Sequence, residues 1–173
     1  MTTIRTLDAA ETAIRLPELS EILVDAVTNG ASVNFMAGFT HDQAQSFWHA
    51  QIPAIANDEN QLIVADTGTR LIATTMLMFA HQPNAPHRAE IGKMLVHSAH
   101  RRQGLGRRLL TAAETAARRA NRTLLMLDTE SGSAGDKLYR SCGWIPVGGV
   151  PNHAFRPDGR LAETTIFYKQ LPR

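Results

Sequence analysis

Hydrophobic residues recur along this chain with two periods, and each change of period marks a predicted element. Residues 3–7 predict a first short strand. Asp8, with Glu11 three positions on, has the form of a capping box, and Pro17 suits a first helical turn. Leu19, Ile22, Leu23, Ala26 and Val27 make one helical stripe, which Asn29-Gly30 should end. A loop over 31–39 mixes Ser32 and Asn34 with Phe35 and Met36, and Thr40 with Gln43 opens the next helix. Its stripe runs through Ala44, Phe47, Trp48, Gln51, Ile52 and Ile55, and Pro53 should kink or end it. Two strands at 62–65 and 71–79 follow, joined by a hairpin turn over 66–70 that carries Gly68.

The second half is organised around one stretch. Residues 88–92 lead into Lys93-Met94-Leu95-Val96, an apolar run suited to a buried strand, and a basic glycine turn follows it. Leu105, Leu109, Ala113, Ala116, Ala117 and Ala120 then predict a helix over 104–120, with Asn121 as its stop. Residues 123–127 are nearly continuously apolar, as for a strand buried on both faces. Strand, helix and strand in that order imply a right-handed crossover between parallel strands. Residues 128–132 form the expected loop after the second strand. Ser133 and Asp136 cap a short helix over 134–142, stopped by Gly143. A strand begins at 144–147, 157–160 make a turn, and 164–168 form the last strand. The order is mixed α/β, in a single domain over 1–173.

Composition narrows the compartment and the chemistry. A 43% hydrophobic and 20% charged content is ordinary for a globular protein. One cysteine, Cys142, excludes an internal disulfide framework and any multi-cysteine metal site, so a reducing cytoplasm is expected. Residues 1–5 lack the apolar core of a signal peptide, and no run approaches the ~20 residues of a membrane span. The seven histidines show no metal spacing; His81, His87, His97 and His100 are expected to face solvent, and no metal is expected. The net charge is only +2, with much of the arginine between Arg101 and Arg122. No aromatic residue lies in that stretch to stack a base, which argues against nucleic acid.

The basic turn suits a smaller anion. Gly104 and Gly106 let the backbone approach a ligand closely, and the free N–H groups of the helix start lie beside Arg101, Arg102, Arg107 and Arg108. Together these make an anion site fitted to a pyrophosphate. It is not a Walker loop, and it lacks the third glycine of the dinucleotide fingerprint.

Arg101-x-x-Gly104-x-Gly106 behind an apolar strand resembles the acetyl-CoA pyrophosphate loop of the GNAT N-acetyltransferases. Further on, Leu138-Tyr139-x-x-x-Gly143-Trp144 resembles that family's second signature. The resemblance implies an α/β fold with a mixed sheet of six to seven strands, splayed between two central parallel strands and covered by helices on both faces. It also implies an enzyme moving an acetyl group from acetyl-CoA directly to a primary amine. The match departs at Gly132, where many members carry an Asn for the pantetheine arm; Ser131 or Ser133 is the expected substitute. Residues 30–36, 88–90, 127–130 and 157–161 resemble the tabtoxin resistance protein branch, which acetylates a small amino-acid-like β-lactam toxin. A protein N-terminus or lysine stands as the alternative acceptor.

The resemblance assigns the cofactor to Met94, Leu95 and Val96, paired with the pantetheine amides as a pseudo-strand, and to Arg101, Arg102, Gln103, Gly104, Leu105, Gly106 and Arg107. An N–H at Leu95 or Val96 would meet the oxyanion. Tyr139 is the family's position for the acid that meets the departing thiolate. The attacking amine, with a pKa of about 10, needs a base. Glu90 is one candidate: strict alternation places it beside Gly92, Met94 and Val96, where it would be partly desolvated. Asp128, at the end of a buried strand, is the other; either can instead hold the substrate's ammonium. Asn34 and Phe35 are expected to wall the acceptor pocket, Trp48 and Cys142 to pack in the interior, and Glu114 to pair with Arg118 on the surface. The expected partners are acetyl-CoA and a small amine, with no nucleic acid or membrane, in a monomer or homodimer.

Overall fold

The computed structural model describes residues 1–172. Strand β1 (Thr3–Leu7) leads into α1 (Ala9–Ile14) and α2 (Leu16–Thr28). Asp8 starts α1 by accepting the Glu11 N–H at 2.7 Å, and Pro17 sits in the first turn of α2, where its missing N–H leaves no bond unmade. The capping box opens α3 (His41–His49): Thr40 Oγ1 accepts the Gln43 N–H at 3.2 Å, and Gln43 Oε1 accepts the Thr40 N–H at 2.9 Å. Pro53 lies at the start of α4 (Ile52–Ala56), so the expected kink is a break between two helices. The hairpin β2 (Asn60–Asp66) and β3 (Leu71–Phe79) follows, then β4 (Arg88–Val96) and a 3₁₀ turn at Ser98–His100. The remainder is α5 (Leu105–Arg119), β5 (Leu124–Glu130), α6 (Ala134–Ser141), β6 (Ile145–Phe155) and β7 (Leu161–Gln170).

The strands form one seven-stranded sheet in the order β1-β2-β3-β4-β5-β7-β6. Two cores lie on its faces. Leu105, Leu109, Leu110, Ala113 and Ala117 of α5 pack on one, and Leu19, Leu23, Ala44 and Trp48 of α2 and α3 pack on the other. Trp48 is fully buried and donates Nε1–H to Leu19 O at 3.0 Å. Each fully buried leucine contributes roughly 1.5–3 kcal/mol.

The centre of the sheet is open. β4 and β5 run parallel and pair only at Arg88↔Leu124, Ala89↔Leu125 and Glu90↔Met126. Beyond Glu90 each strand keeps its outer partner, β3 or β7, while the inner edges part. A β-bulge explains the divergence. Met76 of β3 lies opposite Gly92, but Thr74 lies opposite Leu95, so β4 carries one extra residue; Lys93, with φ +47°, sits there. A bulge bends its strand and sharpens the twist. It also moves the inward positions. Ala89 and Ile91 face the α5 core before the bulge, Met94 and Val96 face it afterwards, and Leu95 packs on the opposite face. Glu90 therefore shares its face with Gly92 and Leu95, not with Met94 and Val96 as strict alternation predicts.

Other expectations are corrected. β5 is buried on one face only: Leu125 and Leu127 are covered, whereas Leu124 and Met126 are half-exposed beyond the α1–α4 layer, which packs on β1 to β4. That strand continues to Glu130, so Asp128 lies within it and not in a loop. Glu114 keeps its expected pair with Arg118, at 3.9 Å, but it is buried and not on the surface, and its closer partner is Lys169 at 2.7 Å. His97 and His100 are half-buried, and His97 Nε2 lies 3.7 Å from Glu21. At the end of β2, one strand in from the β1 edge, Asp66 is also buried. Burial pushes its carboxyl up, but the Gly68 N–H at 2.8 Å, with Arg5 and Arg15, outweighs this and holds it below the usual range. Among the described residues no helix is long and apolar enough to cross a membrane, and no cluster of three metal-ligating side chains occurs.

Candidate active site

The mouth of the gap is the turn between β4 and α5. Arg101, Arg102, Gln103 and Gly104 are exposed. Gly104, at φ +74°, is the N-cap of α5, and no side chain caps that helix. The first bond of the helix runs from the Arg108 N–H to Gly104 O at 3.1 Å; the N–H groups of Gly104, Leu105, Gly106 and Arg107 have no backbone acceptor among the described residues. Four free amides at the positive end of a helix are a ready anion site. The two glycines differ in purpose. Gly104 supplies a left-handed conformation that a side chain would strain, whereas a Cβ on Gly106 would stand 2.8 Å from Leu138 Cδ2. Gly106 thus lets α6 pack on α5.

The arginines are more committed than the sequence suggests. Arg101 Nε donates to Val96 O at 3.1 Å, Arg107 donates to Ser141 Oγ at 3.1 Å, and Arg108 donates to Thr2 O at 2.7 Å. Arg102 has no such partner among the described residues. Leu105 is buried and offers only its N–H. The Ser98 N–H and Oγ–H both donate to Asp25, at 2.8 and 2.6 Å, which pins the segment to α2.

Inside the gap, the inner edge of β4 is free of β5 from Ile91 to Val96. The His97 N–H bonds Ile72 O on β3 at 3.0 Å. Bonding direction alternates along a strand, so the Val96 N–H points into the gap and the Leu95 N–H toward β3. Tyr139 reaches the gap from α6 with its ring against Trp144 and Phe167, at centroid distances of 6.1 and 6.0 Å. Burial pushes its phenol far up, and the nearby Asp128 charge acts the same way, so it keeps its proton at neutral pH. Asp128 and Glu90 are both exposed, and the partial desolvation expected of Glu90 is not found.

Lys93 was missed. The bulge brings it onto the acceptor side, where its Nζ lies 5.2 Å from the Phe47 ring and 5.8 Å from Phe35. Burial pulls its ammonium down and Asp128 holds it up. The available signal was a lone lysine inside the run Ile91 to Val96. Asp128 thus acts on both Tyr139 and Lys93. Gly132 leaves no side chain, and the expected substitutes are engaged: Ser131 Oγ bonds Thr165 Oγ1 at 2.6 Å, and Ser133 Oγ accepts the Asp136 N–H at 3.2 Å.

The loop over 31–39 forms the opposite wall. Phe35 stacks on Phe39 at 4.1 Å and meets Phe47 edge-on at 5.4 Å, and these rings with Asn34 line a groove of about 720 Å³. The Ala37 N–H donates to Pro157 O at 3.0 Å, tying this loop to the turn between β6 and β7.

The sheet is split between its parallel strands, and the bare helix amides at the mouth of the split can hold an anion such as a diphosphate. Residues 19–144 match the acetyltransferase (GNAT) family, and the chain belongs to that family of enzymes. Among solved structures it is similar in fold to yncA of Salmonella typhimurium with its cofactor acetyl-CoA: 23% identity over 100% of this chain and 95% of that one, TM-score 0.77. It is likewise similar to a ribosomal-protein-alanine N-acetyltransferase from Brucella melitensis, at 23% identity over 98% and 99%, TM-score 0.79. A phosphinothricin acetyltransferase from Sinorhizobium meliloti in complex with acetyl-CoA gives 18% identity over 98% and 88%, TM-score 0.82.

Proposed function

We propose that this acetyltransferase moves an acetyl group from acetyl-CoA directly to the primary amine of a small molecule, an amino-acid-like toxin or antibiotic of the tabtoxin kind being the acceptor class. The observation that carries the reading is the opening between β4 and β5 beyond Glu90, with Asp128 on one strand, the unpaired edge of β4 on the other and the bare amides of Gly104 to Arg107 at its mouth. Acetyl-CoA supplies the activated acetyl group. The amides of Gly104 to Arg107, with Arg102 beside them, fit its diphosphate, and the unpaired edge of β4 at Met94 to Val96 fits an extended amide-bearing arm. The Val96 N–H is placed for the oxygen charge that develops on attack; one such donor is worth ~10²–10³ in rate.

Asp128 is the base, taking the proton of the acceptor's ammonium directly or through water, while Glu90, where the strands part, holds that ammonium. Tyr139 presents a phenol proton to the departing sulfur. Asn34 and Phe35 bound the acceptor. The bridge from Ala37 to Pro157 closes the acceptor side over a short span, which favours a compact acceptor over a peptide. A free-thiol assay with small amino-acid-like amines and with peptides bearing free N-termini tests this. Turnover of the small amines is expected; turnover of peptides alone overturns the acceptor class.

A further inference from the structure

We infer that Lys93 binds an anionic group of the acceptor, so that the favoured acceptor carries a carboxylate, or an oxyanion of like charge, beside its amine. The inference rests on the small-amine reading above. The bulge holds Lys93 at φ +47°, which lysine seldom adopts, and this turns its side chain toward the aromatic wall. There the ammonium rests against Phe47 and Phe35, half-buried, and among the described residues no carboxylate comes within salt-bridge range and no oxygen accepts from it. Glu90 and Asp128 stand on the two diverging strands, exposed and likewise without a cation in salt-bridge range among the described residues.

The gap therefore presents one ammonium and two carboxylates, none of them within salt-bridge range of an opposite charge among the described residues; Asp128 reaches Lys93 only through space. A ligand with an ammonium and a carboxylate answers both signs. A ligand with an amine alone would cover Lys93 and give its charge no hydrogen-bonded partner, which is costly. An amino acid already linked through its carboxyl, as at a peptide N-terminus, has lost the group that Lys93 would meet.

The test compares free amino acids with their carboxamides as acceptors, in the intact enzyme and in Lys93→Met and Lys93→Arg. The intact enzyme is expected to favour the free acid by at least about tenfold in kcat/KM, the worth of one charge-assisted bond. Lys93→Met should bring the acid-to-carboxamide ratio toward unity through a higher KM for the acid, and Lys93→Arg should keep most of the preference. Equal use of acid and carboxamide by the intact enzyme overturns the inference and leaves the small-amine reading standing. So does a ratio in Lys93→Met equal to that of the intact enzyme. Turnover of peptides alone overturns both. Should Lys93→Met fail to fold, the intact enzyme and Lys93→Arg still decide the matter.

Discussion

The turn over 101–107 presents mainly main-chain amides, whereas the wall of Phe35, Phe39, Phe47 and Lys93 presents side chains alone. The first is local: strand, turn and helix are contiguous, and most substitutions leave an N–H where it was. The second is assembled from distant parts of the chain, and any of its members can change without disturbing a backbone bond.

Four substitutions put this contrast at risk and a fifth is its control, and the largest effect belongs in the opening between the strands. Asp128→Asn should lower kcat/KM by ~10²–10⁴ at neutral pH, with acetyl-CoA binding spared. A loss below tenfold would move the base elsewhere. Tyr139→Phe keeps the ring packing against Trp144 and Phe167, so stability should hold while turnover falls by up to ~10²; equal turnover removes Tyr139 as the acid.

On the donor side, Gly104→Val forces a branched side chain into a left-handed cap, with a strain of about 1–3 kcal/mol. Acetyl-CoA titration should show a KM several-fold higher, a larger rise than Arg102→Ala produces. The reverse ranking would mean that guanidiniums, not amides, hold the diphosphate.

The smallest effect on catalysis should come from Asp66→Asn, remote from both halves. Asp66 titrates below its ordinary value in the fold, and so does Glu18, whose burial is outweighed by Arg15 and the Leu71 N–H. Their stabilisation is full above the unfolded carboxylate pKa of about 4 and fades as pH falls through the lower folded values. The variant should unfold about 1–3 kcal/mol more easily at pH 7, with the gap to the parent protein narrowing below pH 4, and with kcat unchanged.

Local order was legible because local chemistry wrote it. Asp8, Thr40 and Ser133 cap the helices that their spacing announces, and the stripe from Leu105 to Ala117 is the buried face of α5. What escaped depends on neighbours far along the chain. Nothing in Gly92-Lys93-Met94 signals a bulge, because register is set by β3 and not by β4 itself. Strand β6 was recognised only at its start, since Pro146, Gly148, Gly149 and Pro151 read as breakers; as the edge strand it needs no outward N–H and tolerates them. Glu114 has its i+4 arginine in sequence, but Lys169 arrives only once β7 is in place. The site followed the same rule: the basic turn before α5 could be read, the aromatic wall in part, and Lys93 not at all.

The extra residue in β4 is more than a perch for an ammonium group. A chain one residue shorter, lacking only Lys93, would have no reason to bend there. The inner-edge amides and carbonyls between Ile91 and Val96 would then face those of Leu127 to Glu130, and the two strands could pair toward their tips. Such a protein should be harder to unfold than its parent and wholly inert, a sheet healed at the cost of its opening.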